Sequence, residues 1–191
     1  MIFASNNNNK IEQVKQYLTG FEIKGLKESG IDIDINEDQP TFVGNASKKA
    51  MEIYNLTKQP VIADDSGLCI DEFNGWPGVA THRFLENSTA SSRNEYILEK
   101  MKDIPNNKRT CSVECAIAYV DQNGKLYVFE GKFNGYITKE QKGDNFFGFD
   151  SIVAFDESLE QTFAMLNDEQ KLKFNARSLA LLQLQNFINN Q

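Results

Sequence analysis

Within its first twenty residues the chain changes periodicity once. Ile2-Phe3-Ala4 is apolar throughout, Ser5 to Lys10 is polar and turn-prone, and Ile11, Val14 and Leu18 then recur at three- and four-residue spacing around Glu12, Gln13 and Lys15. That change predicts a strand, a loop and an amphipathic helix ending near Gly20. Ile31, Ile33 and Ile35 alternate with Asp32 and Asp34, which predicts a half-solvated strand. Phe42, Ala46, Ala50 and Ile53 predict a second helix over 41–56, and Val61-Ile62-Ala63 a short buried strand. Ser92 to Met101 reads as helix. Segments 109–120 and 125–137 are rich in β-branched and aromatic residues and flank Asn123-Gly124, a hairpin signal. Phe146 to Phe155 predicts a strand interrupted at Gly148, and the stretch carrying Leu179, Leu182 and Phe187 predicts a helix running to the end. Helices between strands, with one antiparallel pair, make the fold class mixed α/β: a β-sheet flanked by helices.

At 191 residues the chain is long enough to bury a core, and it reads as a single domain over 1–191, two closely joined lobes being the other reading. The formal net charge of -7 argues against a broad nucleic-acid interface, which draws its affinity from clustered Lys and Arg. A small phosphorylated ligand needs only a few local cations. With neither a leader-like pattern nor a long apolar run, the expectation is a cytoplasmic protein without a membrane partner. Cys69, Cys111 and Cys115 lie among apolar neighbours without a paired spacing, so they are expected to pack as free thiols. His82 is the sole histidine, which argues against a His-based metal site and against a Ser-His-Asp triad.

Four features can carry chemistry. Ser5-Asn6-Asn7-Asn8-Asn9-Lys10 is either a solvated turn or an anion cradle at a helix start. Asp64-Asp65-Ser66-Gly67 closes a buried strand, where adjacent carboxylates must be exposed or meet a cation. Hard carboxylate oxygens suit Mg2+, and Glu37 is a candidate second ligand. Phe147-Gly148-Phe149-Asp150 is either core with a bulge or a slot for a planar ring. Lys171 and Arg177 stand six residues apart, about 600° around a continuous helix, so they can share a face only if that helix breaks near Asn175. Together these features describe a site for a Mg2+-bound nucleotide.

In that order and over nearly the whole chain, the sequence resembles the inosine/xanthosine triphosphate pyrophosphatases. Ser5-x-Asn7-x-x-Lys10 resembles the family's first loop, with Asn6 where glycine is usual. Thr41-Phe42 and Asn45-Ala46-x-x-Lys49-Ala50 resemble its helix, with Glu37 at the preceding acidic position. Ala63-Asp64-Asp65-Ser66-Gly67-Leu68, then Pro77-Gly78 and Arg83, and later Phe147-Gly148-Phe149-Asp150, follow its remaining blocks.

The resemblance implies an elongated α/β fold with a cleft between two lobes, a homodimer, and hydrolysis of ITP, dITP and XTP to monophosphate and pyrophosphate. It implies Mg2+ on Glu37 and Asp65, with Asp65 as catalytic base. Ser5, Asn6, Asn7, Asn8, Asn9, Lys10 and Lys49 would hold the triphosphate and Ser66 would contact substrate. Phe147, Gly148, Phe149, Asp150, Lys171 and Arg177 would surround sugar and base. One departure bears on base choice: the family's S-H-R appears here as Asn175-Ala176-Arg177, which deletes an imidazole. A different base, or nucleotide binding without catalysis, are the alternative readings.

Overall fold

The computed structural model describes residues 1–85, 87–144 and 148–190. Its elements are β1 (Ile2–Phe3), α1 (Asn8–Tyr17), α2 (Phe42–Thr57), β2 (Val61–Ile70), β3 (Trp76–Pro77), α3 (Ala90–Lys100), β4 (Thr110–Val120), β5 (Leu126–Ile137), β6 (Val153–Ala154), α4 (Asp168–Phe174) and α5 (Ala176–Asn189). The strands pair in the order β1-β2-β4-β5-β6, with β3 on β2. The fold is therefore the expected mixed α/β class. The chain divides into two compact units, one of Met1–Ser66, Cys115–Gly131 and the segment from Ala176, the other of Gly67–Glu114 and Lys132–Asn175.

In the first unit β1 lies parallel to β2, Ile2 opposite Val61 and Phe3 opposite Ile62. Side chains alternate across a strand, so one face takes Ile2, Ala4, Val61, Ala63, Ala116, Ala118 and Val120. The buried stripe Ala46, Ala50 and Ile53 of α2 packs on that face, at the spacing that predicted the helix. α1 packs against α5. The turn between β4 and β5 forms around Asp121, whose Oδ1 accepts from Asn123 N at 2.8 Å and Lys125 N at 2.9 Å. Gly124 there has φ +83, a left-handed conformation that glycine adopts without steric cost.

In the second unit Leu68, Ile70, Ile97, Met101, Cys111, Ile137, Ile152 and Val153 form the core, with Phe133, Phe149, Phe155 and Trp76 packed against it. β6 pairs antiparallel with β5, Tyr136 opposite Ala154. Arg109 is fully buried here and, among the described residues, meets no carboxylate within ion-pair distance. Its guanidinium donates instead to the carbonyls of Ile137, Met101, Ile104 and Thr138.

Three local expectations are corrected. Residues 31–38 form no strand, and Ile33 is 41% exposed. Alternation of apolar residues specifies a face but supplies no neighbouring ladder to hydrogen-bond with. The strand expected to end at Ala63 runs on to Ile70, so the two aspartates lie in mid-strand. Between Phe146 and Phe155, among the described residues, only Val153–Ala154 is strand and residues 148–152 form a turn. Gly148, at φ +58, has the left-handed backbone that leaves a strand. Of the cysteines, Cys111 and Cys115 are buried thiols, and burial pushes the Cys115 thiol up to about 12.

Candidate functional site

Asp64 and Asp65 are neighbours on one strand, so their side chains leave its opposite faces, and each meets a different set of partners. Asp64 is 1% exposed. Its Oδ2 receives Lys10 Nζ at 2.9 Å, Arg177 Nη2 at 2.9 Å and Arg177 Nε at 3.1 Å. Arg177 also reaches Ser66 Oγ at 3.0 Å, two residues along on the same face of β2, and Gln13 Oε1 at 3.0 Å. Burial pushes the Asp64 carboxyl up, but Lys10, Arg177 and Lys49 more than offset it and hold the group well below the usual carboxylate range.

Asp65 faces α2. Asn45 Nδ2 donates to Asp65 Oδ2 at 2.8 Å, and Ser66 N donates to its Oδ1 at 3.0 Å. One turn further along α2, Lys49 Nζ lies 2.5 Å from Glu37 Oε1. Burial raises the Asp65 carboxyl, the charges of Glu37 and Asp64 add to that, and Lys49 and Asn45 only partly reverse it, so the net shift is upward. The adjacent carboxylates are thus separated electrostatically: one is locked as an anion between two cations, the other holds a proton more readily than an ordinary aspartate.

Helix α2 organises this side of the strand through residues spaced three and four apart. Thr41 caps it, accepting from Gly44 N at 3.0 Å. Asn45 accepts from Gln39 N at 2.9 Å, and Lys48 donates to Asn36 O at 2.9 Å and pairs with Asp38. Segment 36–39 is thereby strapped to the helix with Glu37 beside Lys49. Gly44 permits the close approach, since a Cβ there would stand 2.8 Å from Gln39 Cβ.

The N-terminal loop is built around its own side chains. Asn7 caps α1, accepting from Asn9 N at 3.0 Å and Lys10 N at 3.3 Å, while Ser5 Oγ accepts from Asn7 N at 3.1 Å. Asn6 Oδ1 accepts from Lys27 N at 3.0 Å, and Asn8 and Asn9 are exposed. The helix start is therefore capped by the chain itself, and Lys10 contributes its charge from inside, through Asp64.

The second unit holds the other expected residues. Lys171 Nζ lies 3.3 Å from Asp150 Oδ2, and burial raises the Asp150 carboxyl while Lys171 pulls it back in part. Phe149 packs on the core, and Phe147 lies outside the described residues. The buried Asn94, from α3, donates to Gly148 O at 3.0 Å and Ser151 Oγ at 3.1 Å. α4 ends at its C-cap Asn175 and α5 begins at Ala176, so the expected break is present. It divides Lys171, which pairs with Asp150, from Arg177, which pairs with Asp64.

Ser5 to Lys10, Glu37, Lys49, Asp65, Ser66 and Arg177 thus belong to one unit, and Gly148, Phe149, Asp150 and Lys171 to the other. Gln13 and Asn94 were not singled out from the sequence, and Asn45 entered only as part of the helix motif that carries Lys49, without a role. Asn45 stands four residues before Lys49 and Gln13 three after Lys10, spacings that place each on its partner's helix face; nothing in the pattern marks Asn94. His82 is exposed. Among the described residues no three His, Cys, Asp or Glu side chains are grouped to hold a metal, and no helix is long and apolar enough to cross a membrane. Glu37 and Asp65 nevertheless offer two hard oxygen donors with interacting charges, a donor set that fits Mg2+, which retains waters and accepts phosphate oxygens for the rest.

Residues 1–187 match the Ham1 family. The chain is 38% identical over 187 residues to the dITP/XTP pyrophosphatase of Clostridium tetani, covering 95% of this chain and 92% of that one. Among solved structures, the Staphylococcus aureus Ham1 protein superposes with a TM-score of 0.90 at 32% identity, covering 99% of this chain and 97% of that one. A HAM1 protein from Coxiella burnetii gives 0.87 at 33%, covering 100% and 98%.

Proposed function

The chain belongs to the Ham1 family, and from that premise we propose that it hydrolyses non-standard purine nucleoside triphosphates, ITP, dITP and XTP, to the monophosphate and pyrophosphate. In this reading it acts with Mg2+, as a cytoplasmic homodimer and as one catalytic domain. The observation that carries the proposal is the division of labour on β2: Asp64 anchors two cations while Asp65, beside Glu37, keeps a carboxylate available for metal and proton.

Glu37 and Asp65 would hold the metal, and the Ser5–Lys10 loop, Lys49 and Ser66 would bind the triphosphate. When bound, Mg2+ screens phosphate charge and makes the α-phosphorus more electrophilic. Asp65 orients the attacking water and takes up its proton; an upward-shifted carboxyl lies closer to the working pH, which favours that transfer. Lys10, held by Asp64, stabilises charge developing on the departing pyrophosphate without reorganising, and Arg177 stays with the residues around sugar and base. On the second unit, Asp150 supplies an acceptor and Lys171 a donor, the pair of functions that a 6-oxopurine edge requires.

Ala176 favours a second reading in which the chemistry is unchanged but the base differs. It is 2% exposed and presents no polar side chain where the family carries an imidazole. Pyrophosphate release from ITP, XTP, dUTP, dTTP, ATP and GTP, with and without Mg2+, tests both. The proposal expects ITP and XTP to lead, with Mg2+ required. Preference for a pyrimidine or a standard purine would move the function to the second reading, and tight binding without turnover would remove catalysis.

A further inference from the structure

We propose that Asn94 is a positioning residue for base recognition, an inference that rests on the pyrophosphatase reading: its side-chain amide holds Gly148 O and so fixes the turn that presents Asp150, with Lys171, to a 6-oxopurine edge. Asn94 stands in the second turn of α3 and is fully buried. In the turn over residues 148–152, backbone donors serve the carbonyls that follow Gly148. Ile152 N and Val153 N donate to Phe149 O at 2.9 and 3.1 Å, Ala164 N to Asp150 O at 2.9 Å, Lys142 N to Ser151 O at 2.9 Å and Thr138 N to Ile152 O at 2.9 Å. Gly148 O instead receives a side chain, Asn94 Nδ2, at 3.0 Å. Gly148 is also the residue at φ +58, and a glycine backbone is the one that local sterics constrain least. The direction of the turn is therefore set from outside it, by α3.

The Asn94 amide is used for its donors. Nδ2 faces Gly148 O, Ser151 Oγ at 3.1 Å and Gln141 Oε1 at 3.4 Å, whereas the buried Oδ1 has no hydrogen-bond partner among the described residues. Leaving a buried oxygen unpaired is unfavourable, so the orientation is dictated by the partner that can only accept, and a backbone carbonyl is such a partner. A second tie runs alongside the first. Ser151 Oγ donates to Gln141 Oε1 at 3.0 Å, and Gln141 Nε2 donates to Ser91 Oγ at 3.0 Å. Ser91 stands three residues before Asn94, so the same face of α3 grips the turn at both ends. Asp150 lies between the two gripped residues, Gly148 and Ser151, and its Oδ2 is 3.3 Å from Lys171 Nζ. Recognition of a base edge by hydrogen bonds tolerates little displacement, so a turn released from Asn94 would blunt it.

Asn94→Asp keeps the shape and removes the donor, and Asn94→Ala removes the whole amide. ITP and ATP hydrolysed in competition give the ratio of their kcat/KM values, which does not depend on how much of the enzyme is folded. We expect that ratio to fall about 10-fold in both variants, with the loss for ITP carried by KM and kcat within about threefold of wild type. A ratio within about twofold of wild type in either variant, however low its activity, would leave Asn94 a folding residue and overturn the proposal. Should neither variant fold, the wild-type chain crystallised with Mg2+ and a non-hydrolysable inosine triphosphate analogue decides. A base edge on Asp150 and Lys171, with Asn94 Nδ2 on Gly148 O, upholds it; a turn released from Asn94, or a base bound away from Asp150, refutes it. Absence of Mg2+-dependent ITP turnover in the wild type would overturn the pyrophosphatase reading and this inference with it. Equal kcat/KM for ITP and ATP in the wild type would leave pyrophosphatase chemistry standing and remove the inference alone.

Discussion

Asn45, fully buried on α2, donates through Nδ2 to Asp65 Oδ2 at 2.8 Å and accepts through Oδ1 from Gln39 N at 2.9 Å. One side chain therefore orients the proposed base and ties down the segment that carries Glu37. Asn45→Ala leaves the Gln39 N–H and the Asp65 carboxylate without these partners, a loss of about 1–3 kcal/mol in stability. It also removes an interaction that lowers the Asp65 pKa. The acid limb of kcat/KM should move to higher pH, measured as a pH–rate profile beside a thermal melt; an unmoved limb would separate Asn45 from Asp65 in function.

Asp64 and Asp65 should show opposite linkage between stability and pH. The folded pKa of Asp64 is depressed, so its contribution is present above the ordinary carboxyl value and is lost as pH falls toward the folded value. The folded pKa of Asp65 is raised, so folding favours its neutral form. That advantage is full below the ordinary value of about 4 and is lost as pH rises through the folded pKa. Asp65→Asn removes the titrating charge at the cost of one acceptor, facing either Asn45 or Ser66. Its melting temperature relative to wild type should rise between pH 4 and pH 8, while turnover falls on the order of 100-fold. Near-normal turnover would remove Asp65 as base.

Arg109 should be a stability residue. Arg109→Met strips donors from the carbonyls of Ile137, Met101, Ile104 and Thr138, and a buried unsatisfied group costs about 1–3 kcal/mol. A melting temperature within a few degrees of wild type would mean that these carbonyls find other donors.

Gly131 lies against the first turn of α5. A Cβ at this position would stand 2.0 Å from Ala176 O and 2.9 Å from Ala180 N, both backbone atoms that cannot rotate away. Gly131→Ala must push the helix start aside, at a cost of about 1–3 kcal/mol or more. Because Arg177 follows Ala176, its contacts with Asp64 should loosen, so activity should fall further than the melting temperature alone explains. Assays well below the melting temperature of the variant distinguish the two effects.

The sequence by itself determined those elements whose signals are local. Apolar spacing marks α1 and α2, Asn123-Gly124 marks the turn from β4 to β5, and the break expected if Lys171 and Arg177 serve one site is present at Asn175; the caps Asn7 and Thr41 emerged only in the structure. Most of the candidate residues stand in short motifs that a single loop, strand or helix start can carry, whereas Glu37 and Lys171 stand alone in the sequence.

Tertiary structure alone decided what depends on partners far along the chain. Asp64 and Asp65 are chemically identical neighbours, yet Lys10 and Arg177 lock one while Asn45 and Ser66 cradle the other. No local pattern distinguishes them, because a strand only sends adjacent side chains to opposite faces and the fold determines what waits on each. For the same reason the alternating isoleucines at 31, 33 and 35 form no strand: alternation describes a face, whereas a ladder also needs a neighbouring backbone to bond with.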